Sequence, residues 1–208
     1  GREGGWEGMD AYLRQDWPAP AAADGSAAEM TAPAGGVDRT AKMHVGGRQA
    51  RPDGGYSRAV HAAGGALLGH VGAGNRKDIR NAVEAAATSP GWSRMTGHAR
   101  AQVLFYVAEN LSARADEFAA RIDALTGAGR GAAEVAASVS RLFTWAAWAD
   151  KHDGAVKDVP LRGLAVALHE PVGVIGALCP AEAPLLGLVT AMGPALAAGN
   201  RVVLVPSE

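Results

Sequence analysis

Hydrophobic and polar positions fall into two regimes along the chain. Over residues 42–74 the runs are short and alternate, as in "KMHVGGRQA" and "YSRAVHAAGGALLGHVGAG". A period of two residues predicts half-buried strands. Gly46-Gly47 is a hairpin signal between the first two, and Gly64-Gly65 splits the next two. From Asn75 the spacing becomes helical. Asn75 caps a predicted helix through "RKDIRNAVEAAAT" to about Thr88, with Ile79, Val83 and Ala86 or Ala87 as its apolar stripe. "SPGW" ends it. Thr96 caps the next helix, whose apolar face is Ala101, Leu104, Phe105, Ala108 and Leu111. A third helix is predicted over residues 115–126 and closes at Thr126-Gly127. A fourth spans residues 131–149, with Val135, Val139, Leu142, Phe143, Ala146 and Trp145 or Ala149 inside.

Beyond residue 150 the pattern changes again. Asp153-Gly154 marks a turn, residues 164–169 read as a strand, and Pro171 breaks it. Residues 172–178 form a continuous apolar run, which predicts a strand buried on both faces, as in a parallel sheet. Pro184 suits the first turn of a helix, and Gly199-Asn200 suits its C-terminal cap. Residues 201–205 are the next apolar strand. Strand, helix and strand of this length make a right-handed βαβ crossover, so the fold class is α/β. In such sheets ligands bind beyond the carboxyl ends of the strands. Those ends are the turns at residues 179–182 and 205–208. The first turn has no G-x-G-x-x-G, so the usual phosphate fingerprint is absent.

Composition narrows the picture. Of the 208 residues 48% are hydrophobic, enough for a core, although many are alanines that bury little area each. The formal net charge is −1, and there is no basic run of the kind that binds nucleic acid or an anionic membrane. No apolar run reaches the roughly 18–20 residues of a membrane-spanning helix. The N-terminal "GREGGWEGMDAYLRQDW" lacks a basic-then-apolar signal pattern. The single cysteine, Cys179, excludes an intramolecular disulfide and points to a reducing compartment, expected to be the cytoplasm. Its place at a strand end reads as a structural thiol. His169-Glu170, a charged dipeptide at a strand end, reads as structural, and the other histidines, His44, His61, His70, His98 and His152, show no metal-ligand spacing, so no metal site is expected. "GAGRGAAE" at residues 127–134 lies between two predicted helices and reads as their connection. Trp145 and Trp148 lie at helical spacing and read as core or interface. Residues 17–36 are rich in Ala, Pro, Gly and Ser and poor in large apolar side chains, a linker composition.

One segment also carries a resemblance. "EPVGVIGALCPAEAPLLGLVTAMGPALAAGNRVVLVPSE" resembles, without a gap, the start of the cofactor-binding domain of the aldehyde dehydrogenase superfamily. The usual form there is EPVGVVG-x-I-x-P-W-N-x-P-L, then a helix, then PALAAGN-x-VVLKP-[AS]-E. "DIRNAVEAA", "GW" and "RAQVLFYVAENL" upstream fit as well. The first residues, "GREGGWEGMDAYL", resemble a motif near the C-terminus of the same enzymes. The combination is similar to the tandem, two-module aldehyde dehydrogenase family sixteen. On that resemblance residues 1–16 are the tail of a preceding module, residues 17–40 a linker, and residues 41–208 the first part of a second module. The chain is then a slice, expected to hold helices and the first βαβ unit of an incomplete Rossmann-like sheet.

The resemblance also implies chemistry. The parent reaction is NAD- or NADP-dependent oxidation of an aldehyde to an acid, through a cysteine nucleophile and a glutamate base that lie outside this slice. Two positions here depart from the pattern. The Asn that donates to the oxyanion is replaced by Glu182, and an ionised carboxylate repels an oxyanion and donates nothing. The Lys that contacts the adenosine ribose is replaced by Val205. Pro180 keeps the turn proline and Glu208 the ribose-binding carboxylate, so these two are the candidate cofactor residues. Residues 154–169 resemble the family's oligomerisation strands, which implies a homodimer. Two readings follow. In one, the second module is a non-catalytic scaffold partnered with the preceding module. In the other, it is still an NAD(P) dehydrogenase with altered site residues.

Overall fold

The computed structural model describes residues 39–160 and 162–207, together with the backbone of Ala28–Glu29. The tail at residues 1–16 and most of the linker lie outside the described residues.

Turn chemistry sets the first part. Gly46 and Gly47 have φ of 60° and 79°, the positive pair that a two-residue hairpin turn requires. They join β2 (Met43–Val45) to β3 (Arg48–Ala50), with Val45 opposite Arg48. A second hairpin pairs β4 (Tyr56–His61) with β5 (Leu67–Gly72). Inside the stretch read as linker, Ala28–Glu29 forms a two-residue strand, β1, antiparallel to β4. Ladder pairing uses backbone groups, so a segment poor in large apolar side chains can still join a sheet edge.

Helix α1 (Arg76–Ala87) opens on a capping box. The Asn75 side chain accepts from the N–H groups of Lys77 and Asp78, and the Asp78 carboxylate accepts from the Asn75 N–H at 2.9 Å. Asp78 is buried and also accepts from the Asp53 N–H at 3.0 Å, which ties the helix start to the turn before β4. That tie fixes the rotation of α1. The inward face is Asp78, Ala82, Ala85 and Ala86, while Ile79 and Val83 are 46% and 42% exposed. The apolar stripe expected from the sequence therefore points largely outward, because a neighbour one residue along a helix lies about 100° away.

"SPGW" is more than a terminator: Gly91–Arg94 forms a one-turn helix, α2. Thr96 caps α3 (Gly97–Ala113) by accepting from the Ala99 N–H. Helix α4 (Ala115–Thr126) ends on Gly127 at φ 65°, a left-handed cap. Helix α5 (Gly131–Trp148) completes the layer. Ala101, Leu104, Ala108 and Leu111 of α3 are buried, with Phe105 packed alongside, as the sequence predicts. They meet Val135, Leu142 and Ala146 of α5 in two adjoining clusters. Trp145 belongs to this packing, whereas Trp148 is exposed.

The last part is the βαβ unit: β8 (Val174–Leu178), α6 (Pro184–Ala197) and β9 (Arg201–Val205), preceded by the ribbon β6 (Ala155–Lys157) and β7 (Ala165–Ala167). Strands β8 and β9 are parallel, with Val174 opposite Arg201 and Leu178 opposite Val205. Helix α6 packs on α5 because Gly193 lets the Trp145 indole reach its backbone; a Cβ there would lie 2.5 Å from Trp145 Cδ1. Gly199, at φ 86°, reverses the chain, and the Asn200 N–H donates to the Ala195 carbonyl. The buried Asn200 side chain accepts from the Gly173 N–H at 2.9 Å, locking the start of β8 beside that of β9. Burial of β8 on both faces does not hold along the predicted run. The strand starts at Val174, and Val172 and Leu178 are 89% and 84% exposed. Among the described residues β8 pairs with β9 alone, and the contacts it makes with α1 and α6 leave Leu178 uncovered. The strand expected at residues 164–169 is likewise reduced to Ala165–Ala167.

Leu142 and Leu178 therefore separate burial from hydrophobicity. Leu142→Ala is expected to cost about 2–5 kcal/mol in urea unfolding, as a cavity in a packed core does. Leu178→Ala is expected to stay within about 0.5 kcal/mol of the unsubstituted chain.

Candidate functional site

The carboxyl ends of β8 and β9 lie side by side. The Cys179 N–H donates to the Val205 carbonyl at 2.9 Å, carrying the parallel ladder one step past Leu178. The chain then turns through Pro180, Ala181, Glu182 and Ala183 into α6. The Pro180 ring lies against Gly187, one turn into that helix, so closely that a Cβ at Gly187 would collide with it. Pro180 thus acts as a packing element of the turn. Cys179 is half-buried and unpaired, and burial pushes its thiol pKa above the ordinary value.

Ala181 and Glu182 line a cavity of about 460 Å³. Its other walls come from β4 (Arg58 and His61) and from the end of α4 and the loop into α5 (Thr126, Ala128 and Arg130). Glu182 is exposed, and Arg58 and Arg130 line the same cavity. Pro180 and Val205 lie at the strand ends but do not line this cavity. Glu208 lies outside the described residues.

Helix α6 has no side-chain cap from its own N-terminus, since Ala183 has nothing to offer. The cap comes from α5. One oxygen of the Glu134 carboxylate accepts from the N–H of Leu185 at 2.8 Å and of Leu186 at 3.0 Å. The negative charge also complements the positive end of the helix dipole. In the sequence Glu134 reads as part of a helix connection. Its position in the first turn of α5 suggests service to that helix, and nothing local indicates partners some fifty residues away.

Among the described residues, the two strand ends and the start of α6 offer a dinucleotide few polar side chains. A helix N-terminus can receive a phosphate on its free N–H groups, but at the start of α6 those of Leu185 and Leu186 are already taken by Glu134. At the end of β9 the Val205 side chain has no polar atom to offer a ribose hydroxyl. Among the described residues no cluster of His, Cys, Asp and Glu could hold a metal ion, and no helix is long and apolar enough to cross a membrane.

The comparisons with known proteins agree with the fold. The model of the aldehyde dehydrogenase family matches residues 50–208. A phenylacetaldehyde dehydrogenase of Pseudomonas fluorescens is 38% identical over 159 residues, covering 70% of this chain and 32% of that protein. An aldehyde dehydrogenase of Brucella melitensis biovar abortus 2308 superimposes with a TM-score of 0.75 at 26% identity, covering 81% of this chain and 36% of that one. A betaine aldehyde dehydrogenase of Staphylococcus aureus, solved in complex with NAD+, shares the fold with a TM-score of 0.76 at 23% identity, over 79% and 35% of the two chains. The chain thus spans about a third of the length of each protein it matches.

The half-buried thiol gives a direct check on the turn. Burial disfavours the thiolate, so the rate of Cys179 alkylation against pH is expected to turn upward at higher pH in the folded chain than in the same chain in urea. Coincident profiles would show that the turn leaves the sulfur in water.

Proposed function

The chain belongs to the aldehyde dehydrogenase family, and from that premise we propose that residues 41–208 open a non-catalytic second module of a tandem aldehyde dehydrogenase. The protein as a whole oxidises aldehydes to carboxylic acids with NAD or NADP. The preceding module performs the reaction, and this one supports it and builds a homodimer. The observation that carries the reading is Glu182. It stands in the turn beyond β8, where the family resemblance calls for an amide donor, and it lines the cavity there. Oxyanion stabilisation needs a donor aimed at developing negative charge. An ionised carboxylate offers none and adds repulsion. Val205 at the end of β9 is the second departure, and it removes the side-chain contact to the ribose.

The scaffold role is supported by apolar surface on the ribbon. Val156 and Val166 stand opposite each other on β6 and β7 and are both exposed, as are Leu164 and Leu168. An apolar ribbon of this kind fits pairing with a second copy. The unpaired Cys179 is compatible with a cytoplasmic setting.

One observation favours the second reading, an active module with altered residues. The turn itself is intact, with Pro180 seated on Gly187 and the ladder continued from Cys179 to Val205. Steady-state kinetics of the full-length protein separate the two. If the module is a scaffold, Glu182→Ala is expected to leave kcat and KM for aldehyde oxidation within about twofold. An active second module would keep turning over aldehyde after the preceding module's nucleophile is removed, and turnover of that variant that responds to Glu182→Ala would overturn the scaffold reading.

A further inference from the structure

We infer that Glu134 is the positioning residue of the turn that carries Glu182, and that its carboxylate does this by occupying the N-terminal amides of helix α6. The inference does not depend on whether the module is catalytic. The turn is held at two places. On the strand side, the Cys179 N–H is fixed to the Val205 carbonyl and the Pro180 ring to Gly187. On the helix side, Pro184 has no N–H and Ala183 has no capping atom. The first free amides are therefore those of Leu185 and Leu186, and both donate to one oxygen of Glu134. The next amide, of Gly187, donates to the Ala183 carbonyl at 2.7 Å.

Between these anchors Ala181 and Glu182 make no hydrogen bond among the described residues. Where the side chain at position 182 sits is therefore set by its neighbours, and Glu134 is the neighbour that ties the turn to the helical layer. Glu134 is well suited to that task. It is half-buried, and the residues around it on α5, Gly131, Val135 and Ser138, are buried, so its backbone has little freedom. Gly131 is in turn fixed by its N–H, which donates to the Asp123 carboxylate of α4 at 2.7 Å. Hydrogen bonds to an ionised carboxylate are about twice as strong as neutral ones. The same carboxylate closes the helix N-terminus to any incoming anion, which places the module's first crossover outside the usual phosphate-binding scheme.

Cys179, three residues before Glu182 and the only cysteine of the chain, is a native probe of the turn. The test compares the unsubstituted chain with Glu134→Gln and Glu134→Ala. At fixed pH the rate of Cys179 modification by a disulfide reagent is measured, alongside amide hydrogen exchange. Glu134→Ala is expected to speed labelling by at least about tenfold, the loss expected for charge-assisted hydrogen bonds. Glu134→Gln, which keeps an acceptor oxygen without the charge, is expected to fall between. The Leu185 and Leu186 amides should lose protection while those of Leu104 and Leu142 keep theirs. A purely structural role would instead lower protection at all four together, and that pattern overturns the inference. So does labelling within about twofold of the unsubstituted rate in Glu134→Ala. Should Glu134→Ala fail to fold by circular dichroism, Glu134→Gln decides: labelling about threefold faster supports the positioning role, and an unchanged rate overturns it.

Discussion

Helix α6 owes both of its ends to side chains from the helical layer. Its amides at Leu185 and Leu186 are taken by Glu134 of α5. Its last carbonyls receive two donors from the other direction: the Trp92 indole N–H to Leu196 at 3.0 Å, and the Arg100 guanidinium to Ala197 at 3.1 Å. A carboxylate at the positive end and a guanidinium at the negative end also match the helix dipole. Burial lowers the pKa of Arg100 below the ordinary arginine value. A partly desolvated cation of this kind needs carbonyl partners, and Arg100 has two, at Met95 and Ala197. With both ends clamped, the helix cannot slide along α3 and α5, and the two strands it connects inherit a fixed register.

The placement of the site follows from that clamp. Strand β8 begins where Asn200 grips the Gly173 amide and ends where Cys179 meets Val205. The turn beyond it can only run over Gly187 into α6. This is a rigid scaffold for presenting one side chain, at position 182, to an open cavity. The proposed function has the chain keep that scaffold and change what it presents. On that proposal, a carboxylate in place of an amide and a valine in place of a lysine remove what an oxyanion and a ribose would bind. The side chains that clamp the helix, Glu134, Trp92 and Arg100, are not among those that line the cavity.

Much of this was legible in the sequence wherever the signal is local. Asn75, Thr96, Gly127 and Gly199-Asn200 mark helix ends through caps that involve residues a few positions away, and each does so in the structure. The Gly46-Gly47 hairpin and the βαβ unit are local in the same sense. What failed depended on distant neighbours. Ile79 and Val83 make a fair apolar stripe, but the buried link from Asp78 to Asp53 rotates that stripe outward. Leu178 sits in a run of buried-strand character, yet its burial needs cover that α1 and α6 do not provide. Pro180 and Glu182 are legible as candidate positions because they stand in a motif. Glu134 was missed because its partners are brought to it only by the packing of α5 on α6.

The most direct measurement of the central claim is a cofactor titration of the full-length protein with the preceding module's nucleotide site disabled, following the fluorescence of added NADH and NADPH. A module whose strand ends offer Glu182, Val205 and a helix N-terminus already filled by Glu134 is expected to give no saturable enhancement with either nucleotide at millimolar concentration. Saturable, one-site binding that is lost on substitution within residues 179–207 would contradict the account.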